Sequence, residues 1–375
     1  MTSPRTYVIV HGGAGIHSKN SEPEAKNALR LACTQALNSA TSENDSALSI
    51  VESAIVSLED SPLLNAGYGS NLTLDGTVEC DAAIMDGRTS DFGSVGAVSG
   101  VKNAIRLARR ILEHSRIPDR LGRIPPLTLV SNGAHAFANS AHVEIVAPES
   151  LITPRARAQW STWKARLDSS VPVDCSADEG LDSLHAFQDT VGAVAWNTAS
   201  GDIASGVSSG GILLKYPGRV GEAAVFGAGC WAQSPQCSAV DGWTKPGMAC
   251  SISGAGEYII KAGLARSLSA TLDKAPDDID IHSILERTLI DDFWVPTRSP
   301  SNPDPSAGII LLTTEENDDR RLTGRLWCAF TTPSMAIAYA SSDNPRGKAL
   351  ILRRPKSLEA RSNDRPRIFV TGLSL

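Results

Sequence analysis

Asp189-Thr190-Val191-Gly192-Ala193-Val194 joins a long polar segment to a small, apolar run that reads as a fully buried strand. A threonine hydroxyl is a poor nucleophile unless a base stands beside it. If the chain were cut before Thr190, the new α-amine would be that base on the same residue. Its reference pKa of about 7.7–8.0 leaves a useful neutral fraction at physiological pH. Threonine with its own N-terminus is a known variant of nucleophile–base pairing. Any threonine can start a strand, however, so the hexapeptide alone favours the structural reading.

Three downstream segments shift that balance. Val191–Trp196 and Ile203–Val207 read as a hairpin around Asn197-Thr198-Ala199-Ser200-Gly201, which brings Ser209 of Ser208-Ser209-Gly210-Gly211 beside Thr190. Pro217-Gly218-Arg219-Val220-Gly221-Glu222 sets an arginine between glycines, where a guanidinium can grip a carboxylate with two hydrogen bonds. Ser251-Ile252-Ser253-Gly254-Ala255-Gly256-Glu257 is small-residue backbone opening a helix, a source of N–H donors for an oxyanion. Nucleophile, carboxylate clamp and anion hole thus follow in order.

Upstream, Tyr7–Val10 reads as a buried strand ending in His11-Gly12-Gly13-Ala14-Gly15. The spacing fails as a dinucleotide fingerprint, because the third small residue would be Ser18 and no acidic residue closes a second strand. Helical patterns cover about Pro23–Leu37 and a segment capped by Asp45 or Ser46, with Ala47, Val51, Ile55 and Leu58 on one face. A loop over Leu58–Gly69, strands at Glu79–Met85, Gly93–Ser99 and Leu127–Val130, and a helix over Asn103–His114 follow. Apolar periodicity fades over about 148–188, which predicts a mobile linker with one helix near Ala156–Leu167. Beyond the hairpin the pattern predicts strands at Ala224–Gly229, Ala249–Ile252, Gly308–Thr313, Arg325–Thr331 and Ala336–Ala340, and helices near Glu257–Asp273 and Ile279–Asp292.

The 375 residues are enough for a large α/β domain, and 42% hydrophobic residues for its core. A net charge of −6 speaks against a nucleic-acid or anionic-membrane surface. Seven cysteines without a CxxC pair, and seven scattered histidines, give no zinc spacing. No run of 18 apolar residues exists, and the start is too short for a signal-peptide core, so cytoplasm or nucleus is expected. Arg155, Arg157, Lys164 and Arg166 in the linker could address a nuclear importer, although such charges are usually only solvated.

Taken together, His11–Gly15, Leu64-Asn65-Ala66-Gly67-Tyr68-Gly69 and Gly254-Ala255-Gly256-Glu257 resemble the N-terminal-nucleophile (Ntn) asparaginase family over most of the chain. Within it, Gly69-Ser70-Asn71-Leu72, Glu79-Cys80-Asp81-Ala82, Phe92–Gly100, Ser208–Gly211, Gly229-Cys230-Trp231-Ala232 and Trp327-Cys328 look most like threonine aspartases (taspases), which cleave proteins after aspartate. The resemblance implies an α/β (α+β) fold, a four-layer αββα sandwich made as a precursor. Cutting at Asp189–Thr190 would give an α part, 1–189, and a β part, 190–375, of one domain that assembles as a dimer of αβ units. It implies Thr190 as nucleophile, Ser209 as its support, Asn65 and Ser253 near the oxyanion, and Gly13 holding the nucleophile by backbone. Arg219, Glu222, Gly254 and Gly256 would bind substrate. No cofactor is expected, and only weakly a sodium ion on the backbone of Leu58, Glu59, Ser61, Leu64, Ala66 and Tyr68.

Two departures bear on substrate. The Thr190–Ser209 interval is one residue longer than in the family, which the Asn197–Gly201 turn absorbs. Glu222 stands where threonine aspartases have Gln and small-substrate asparaginases have Asp. The first expectation is an endopeptidase acting on protein substrates after Asp, without nucleic-acid or membrane partners. The alternatives are an amidohydrolase of asparagine, β-aspartyl peptides or glycosylated asparagine, and a silent homologue that only binds.

Overall fold

The first strand runs well past the apolar tetrapeptide that predicts it: β1 spans Thr6–Gly15 and carries the glycine run with it. It does so because neighbours on both sides hydrogen-bond it, β13 (Ser334–Ser341) and β5 (Val191–Asn197). A register shift between His11 and Ala14 takes up the glycines, and Gly13 sits at φ 103°, where a side chain would be strained. The computed structural model describes residues 4–39, 46–169, 190–237, 244–275, 280–299, 304–316, 322–355 and 366–375.

The remaining strands are β2 (Cys80–Asp86), β3 (Phe92–Val98), β4 (Thr128–Val130), β6 (Ile203–Ser209), β7 (Cys230–Gln233), the short pair β8 (Gln236–Cys237) and β9 (Thr244–Lys245), β10 (Met248–Gly254), β11 (Ala307–Glu316), β12 (Leu322–Phe330), β14 (Asn344–Arg353) and β15 (Phe369–Ser374). One sheet has the order β14-β13-β1-β5-β6-β2-β3-β4, and a second has β15-β12-β11-β10-β7.

Strand alternation builds the layers. On β1, Tyr7 and Ile9 face Ile310, Leu312, Leu326 and Phe330 of the second sheet, closing a core between the sheets. Val8 and Val10 point the other way, onto α1 (Glu22–Ser39) and α2 (Ala47–Glu59), while α3 (Ala104–Ser115) covers β2 and β3 in the same core. On β11, Ile309 and Leu311 turn outward from the sandwich, into a third core with Leu268, Leu285 and Phe293. The result is the αββα sandwich that the family resemblance implies.

Several local expectations need correction. The single helix expected over Glu257–Asp273 is two, broken where Gly263 adopts φ 54°. Ala224–Gly229 is not a strand: a 3-10 turn over Glu222–Ala224 leads into a loop that exposes Phe226 and reaches the second sheet through Gly229 O, which accepts from Ile252 N at 2.9 Å. Of the two cap candidates for α2, Ser46 takes the role, accepting from Ser49 N, while Asp45 lies outside the described residues.

Helix α4 (Ser131–Ser140) is followed by a 3-10 turn, Pro148–Leu151, and α5, Pro154–Asp168, which includes the helix expected near Ala156–Leu167. Ala156 is buried, Trp160 Nε1 donates to Thr73 O at 2.8 Å, and Arg155 donates to the carbonyls of Pro62 and Gly69. The first part of the expected linker is therefore packed, because its apolar and basic side chains find partners on the α2–β2 connection. The remainder, 170–189, lies outside the described residues and includes Asp189. Cys33, Cys80, Cys230, Cys250 and Cys328 are free and buried. Among the described residues no helix is long and apolar enough to cross a membrane.

Candidate active site

Thr190 directly precedes β5, at the end of the hairpin with β6, so the expected pairing with Ser209 is realised across the two strands. Thr190 Oγ1 lies 3.1 Å from Ser209 Oγ and 2.6 Å from Glu222 Oε1. All three residues are buried. Ser209 Oγ also accepts from Gly211 N at 3.0 Å, which fixes its rotamer.

From the second sheet, β10 brings Ser253, whose Oγ accepts from Thr190 N at 3.3 Å and from Ala14 N at 3.1 Å. That hydroxyl ties the nitrogen of Thr190 to the glycine-rich end of β1. Gly13 is next to this contact, with its carbonyl turned to His17 Nε2 at 3.2 Å. Gly254 follows at φ 143°, and a Cβ there would collide with Ser306 O.

Asn65 is placed from the opposite side. Its Oδ1 accepts from Asn71 N, its Nδ2 donates to Gly211 O, and its own carbonyl accepts from Gly210 N, at 2.9, 2.9 and 2.8 Å. These bonds lock the Asn65 loop to the Gly210-Gly211 turn that follows Ser209. A cavity of about 420 Å³ opens beside it, lined among others by Gly12, His17, Leu64, Asn65, Asn71 and Arg155.

The charged side of the site is built on Gly256 and Gly221. A Cβ at Gly256 would collide with Glu222 Oε2 and come within 2.7 Å of Arg219 Nη2. A Cβ at Gly221 would stand 2.7 Å from Arg219 Nη1. Glycine at both positions is what lets the carboxylate and guanidinium converge. Arg219 is mostly covered and grips Glu257, the second residue of helix α6 (Gly256–Ala262), at 2.7 Å through both Nε and Nη2. Burial pushes the Glu222 carboxyl above the ordinary range, while the Thr190 bond and Arg219 hold it back.

Four groups escaped the sequence reading. Asp81 is fully buried and ties β3 to the Arg219 loop, accepting from Ala97 N and from Gly221 N, both at 2.8 Å. It thereby supports the left-handed backbone of Ala97 (φ 47°) and the position of the Arg219 loop. Lys215 is buried, donates to Glu79 O at 2.6 Å, and has its ammonium pKa lowered by burial. His11 Nε2 lies 2.9 Å from Ser251 Oγ, directly behind Gly192, and burial drives its pKa down to about 3, so the ring is neutral. His11 and Ser251 both stand inside quoted motifs, but their contact spans 240 positions and leaves no local signal.

The loop expected to hold sodium has carbonyls turned inward. A Cβ at Gly69 would collide with Leu64 O and come within 2.8 Å of Ser61 O. Backbone oxygens are the donors a hard cation takes, whereas the carbonyl of Glu59 is engaged by Tyr68 N at 2.7 Å. Among the described residues, no cluster of His, Cys, Asp and Glu could hold a metal.

A family model for asparaginases (Asparaginase_2) matches residues 4–280. The chain is 35% identical over 266 residues to the plant-type L-asparaginase of Thermococcus kodakarensis, covering 69% of this chain and 77% of that protein. It is 35% identical over 277 residues to an isoaspartyl peptidase/L-asparaginase of Xenopus laevis (73% and 79% covered). With an isoaspartyl peptidase of Escherichia coli the figure is 33% over 274 residues (72% and 77%). These names fit the asparaginase side of the resemblance better than threonine aspartase. The chain belongs to the asparaginase family of Ntn hydrolases.

Proposed function

We propose that the chain is a self-maturing threonine hydrolase of the side-chain amide of asparagine and of β-aspartyl (isoaspartyl) peptide bonds. The observation that carries this reading is the position of Thr190, whose hydroxyl contacts Ser209 and Glu222 and whose nitrogen contacts Ser253. After cleavage before Thr190, that nitrogen is a primary amine held by Ser253. It takes the hydroxyl proton as Oγ1 attacks the substrate carbonyl, then returns it to the leaving nitrogen. Water hydrolyses the ester by the same exchange in reverse. Asn65 and the backbone N–H groups of Gly254 and Gly256 supply donors for the developing oxyanion, and Arg219 holds the substrate carboxylate. Relatives named for these two reactions support the substrate class. A sodium ion, if bound, would rest on the carbonyls of Ser61 and Leu64 and stiffen the loop that presents Asn65; it takes no part in the steps above.

A second reading, an endopeptidase cutting proteins after Asp, is favoured by one contact. Glu222 Oε1 is committed to the Thr190 hydroxyl rather than left open to a free amino acid's ammonium. The test is a side-by-side assay of the matured protein on asparagine, a β-aspartyl dipeptide and peptides with an internal Asp. Turnover of the first two supports the main reading; cleavage of the internal-Asp peptides alone moves the assignment to the second. Thr190→Ala must abolish whichever activity is found, and activity that survives it removes both.

A further inference from the structure

The precursor poses a chemical problem that the mature enzyme does not. Before cleavage the nitrogen of Thr190 is an amide and cannot accept a proton, so the hydroxyl needs another base. Among the described residues two groups hydrogen-bond Thr190 Oγ1: Ser209 Oγ at 3.1 Å and Glu222 Oε1 at 2.6 Å. A hydroxyl has one proton, and the shorter bond, to a carboxylate, takes it. The Ser209 contact is then served by the serine's own proton. His11 is not among the groups bonded to Thr190 Oγ1; its Nε2 is on Ser251 Oγ.

We propose that Glu222 is the general base for self-cleavage of the Asp189–Thr190 bond. The inference rests on the maturation reading above and adds a role that the α-amine cannot fill. Glu222 removes the proton from Thr190 Oγ1 as that oxygen bonds to the carbonyl carbon of Asp189. When the C–N bond breaks, the Glu222 carboxyl passes the proton to the Thr190 nitrogen, leaving an ester at Oγ1 and a free amine. Water then adds to the ester and releases the Asp189 carboxylate and the Thr190 hydroxyl. Glu222 ends the sequence ionised, as it began.

The surroundings suit this base. Residues of β2, β3, β6 and α6 pack on the Glu222–Ala224 turn. The charged groups they and the adjoining loops present are Asp81 from β2, Arg219 and Lys215 from the loop before the turn, and Glu257 from α6, itself bound to Arg219; β3 and β6 present none. Burial makes Glu222 a stronger base than a surface carboxylate, and Arg219 keeps it ionisable.

The experiment follows freshly translated full-length precursor on denaturing gels across pH, with N-terminal sequencing of the product, for wild type, Glu222→Gln, Glu222→Asp and Thr190→Ala. The expectation for Glu222→Gln is a loss of about 10²-fold or more in self-cleavage rate. The wild-type rate should rise through an inflection above the ordinary carboxylate range, absent in Glu222→Gln and kept at lower rate in Glu222→Asp. Wild-type chain that stays uncut, like Thr190→Ala, removes the maturation reading and this proposal with it. Wild-type chain that matures while a folded Glu222→Gln keeps pace overturns the proposal alone. Should Glu222→Gln not fold, a wild-type rate that shows no such inflection anywhere from the ordinary carboxylate range upward overturns it.

Discussion

Arg219 and Glu257 meet in a two-pronged ion pair, Nε to Oε1 and Nη2 to Oε2, both at 2.7 Å. The Arg219 side chain is 12% exposed and that of Glu257 51%. A substrate carboxylate would need the same fork from the same guanidinium, so Glu257 is its competitor. Partial burial works against the Glu257 charge, yet Arg219 holds its pKa below the usual value, so it competes across the neutral range. Arg219→Ala is expected to abolish hydrolysis with little change in melting temperature. Glu257→Gln should lower KM about two- to fivefold at constant kcat, in keeping with up to about 1 kcal/mol for a half-exposed pair. Steady-state kinetics decide, and a KM that rises in Glu257→Gln contradicts the competition.

Gly192 is where backbone space limits the site. A Cβ there would collide with Ser251 Oγ and stand 2.5 Å from His11 Nε2 and 2.8 Å from Gly206 O. None of these can retreat: Ser251 also donates to Gly206 O at 3.0 Å, and the other atoms belong to a buried ring and a strand. Gly192→Ala should cost about 3 kcal/mol or more, read as a shift in denaturation midpoint. A midpoint within experimental error of wild type would show that the His11–Ser251 contact is not rigid.

Glu59 links α2 to the site, since its Oε1 accepts from Ser208 Oγ at 2.6 Å and from Ile105 N at 3.1 Å. Burial raises its pKa to about 8, with the Ser208 and Ile105 bonds opposing. For an acid whose folded pKa is raised, stability is full below the unfolded value, about 4.3, and is lost as pH rises toward the folded value. Wild-type stability should therefore fall between those limits, at most about 1.4 kcal/mol per pH unit from this group. Glu59→Gln keeps an acceptor for Ser208 and should flatten the slope, becoming the more stable form above about pH 8. Melting curves at pH 5, 7 and 9 test this, and parallel slopes for the two proteins would refute it.

What could be read in the sequence divides along physical lines. The β5–β6 hairpin was legible because a polar five-residue turn separates two apolar runs, and that placed Ser209 on Thr190. Edge strands β14 and β15 were not, since Pro345, Arg346 and Lys348 in one and the half-exposed Phe369–Ser374 in the other lack a buried face. Ala224–Gly229 misled because its small and apolar residues fold as a turn with Phe226 exposed, not as a ladder. Thr190, Arg219 and Glu222 are marked by their own chemistry and their glycine neighbours. His11, Asp81 and Lys215 are marked by contacts with residues remote in sequence, so only the fold brings them into the site.

If the chain is cut before Thr190, the sheets would still hold the two fragments together. β1 belongs to residues 1–189, yet it lies between β5 and β13 of residues 190–375, pairing through Thr6–His11 on one side and Tyr7–Gly15 on the other. β2 likewise pairs with β6 from Asp81↔Ser209 to Asp86↔Ala204. Separating the fragments would break three antiparallel ladders and open the core between the sheets, where Tyr7, Ile9, Ala83 and Met85 meet Val194, Ile310 and Phe330. The hydrogen bonds that helix α5 makes from Trp160 and Arg155 to Thr73, Pro62 and Gly69 stay within residues 1–189. Cleaved protein should therefore run as two fragments on a denaturing gel but sediment in native buffer as particles containing both. Trp160→Ala should leave that sedimentation unchanged. Separate 1–189 and 190–375 species in native buffer, in either protein, would show that the interleaved sheet alone does not hold the halves.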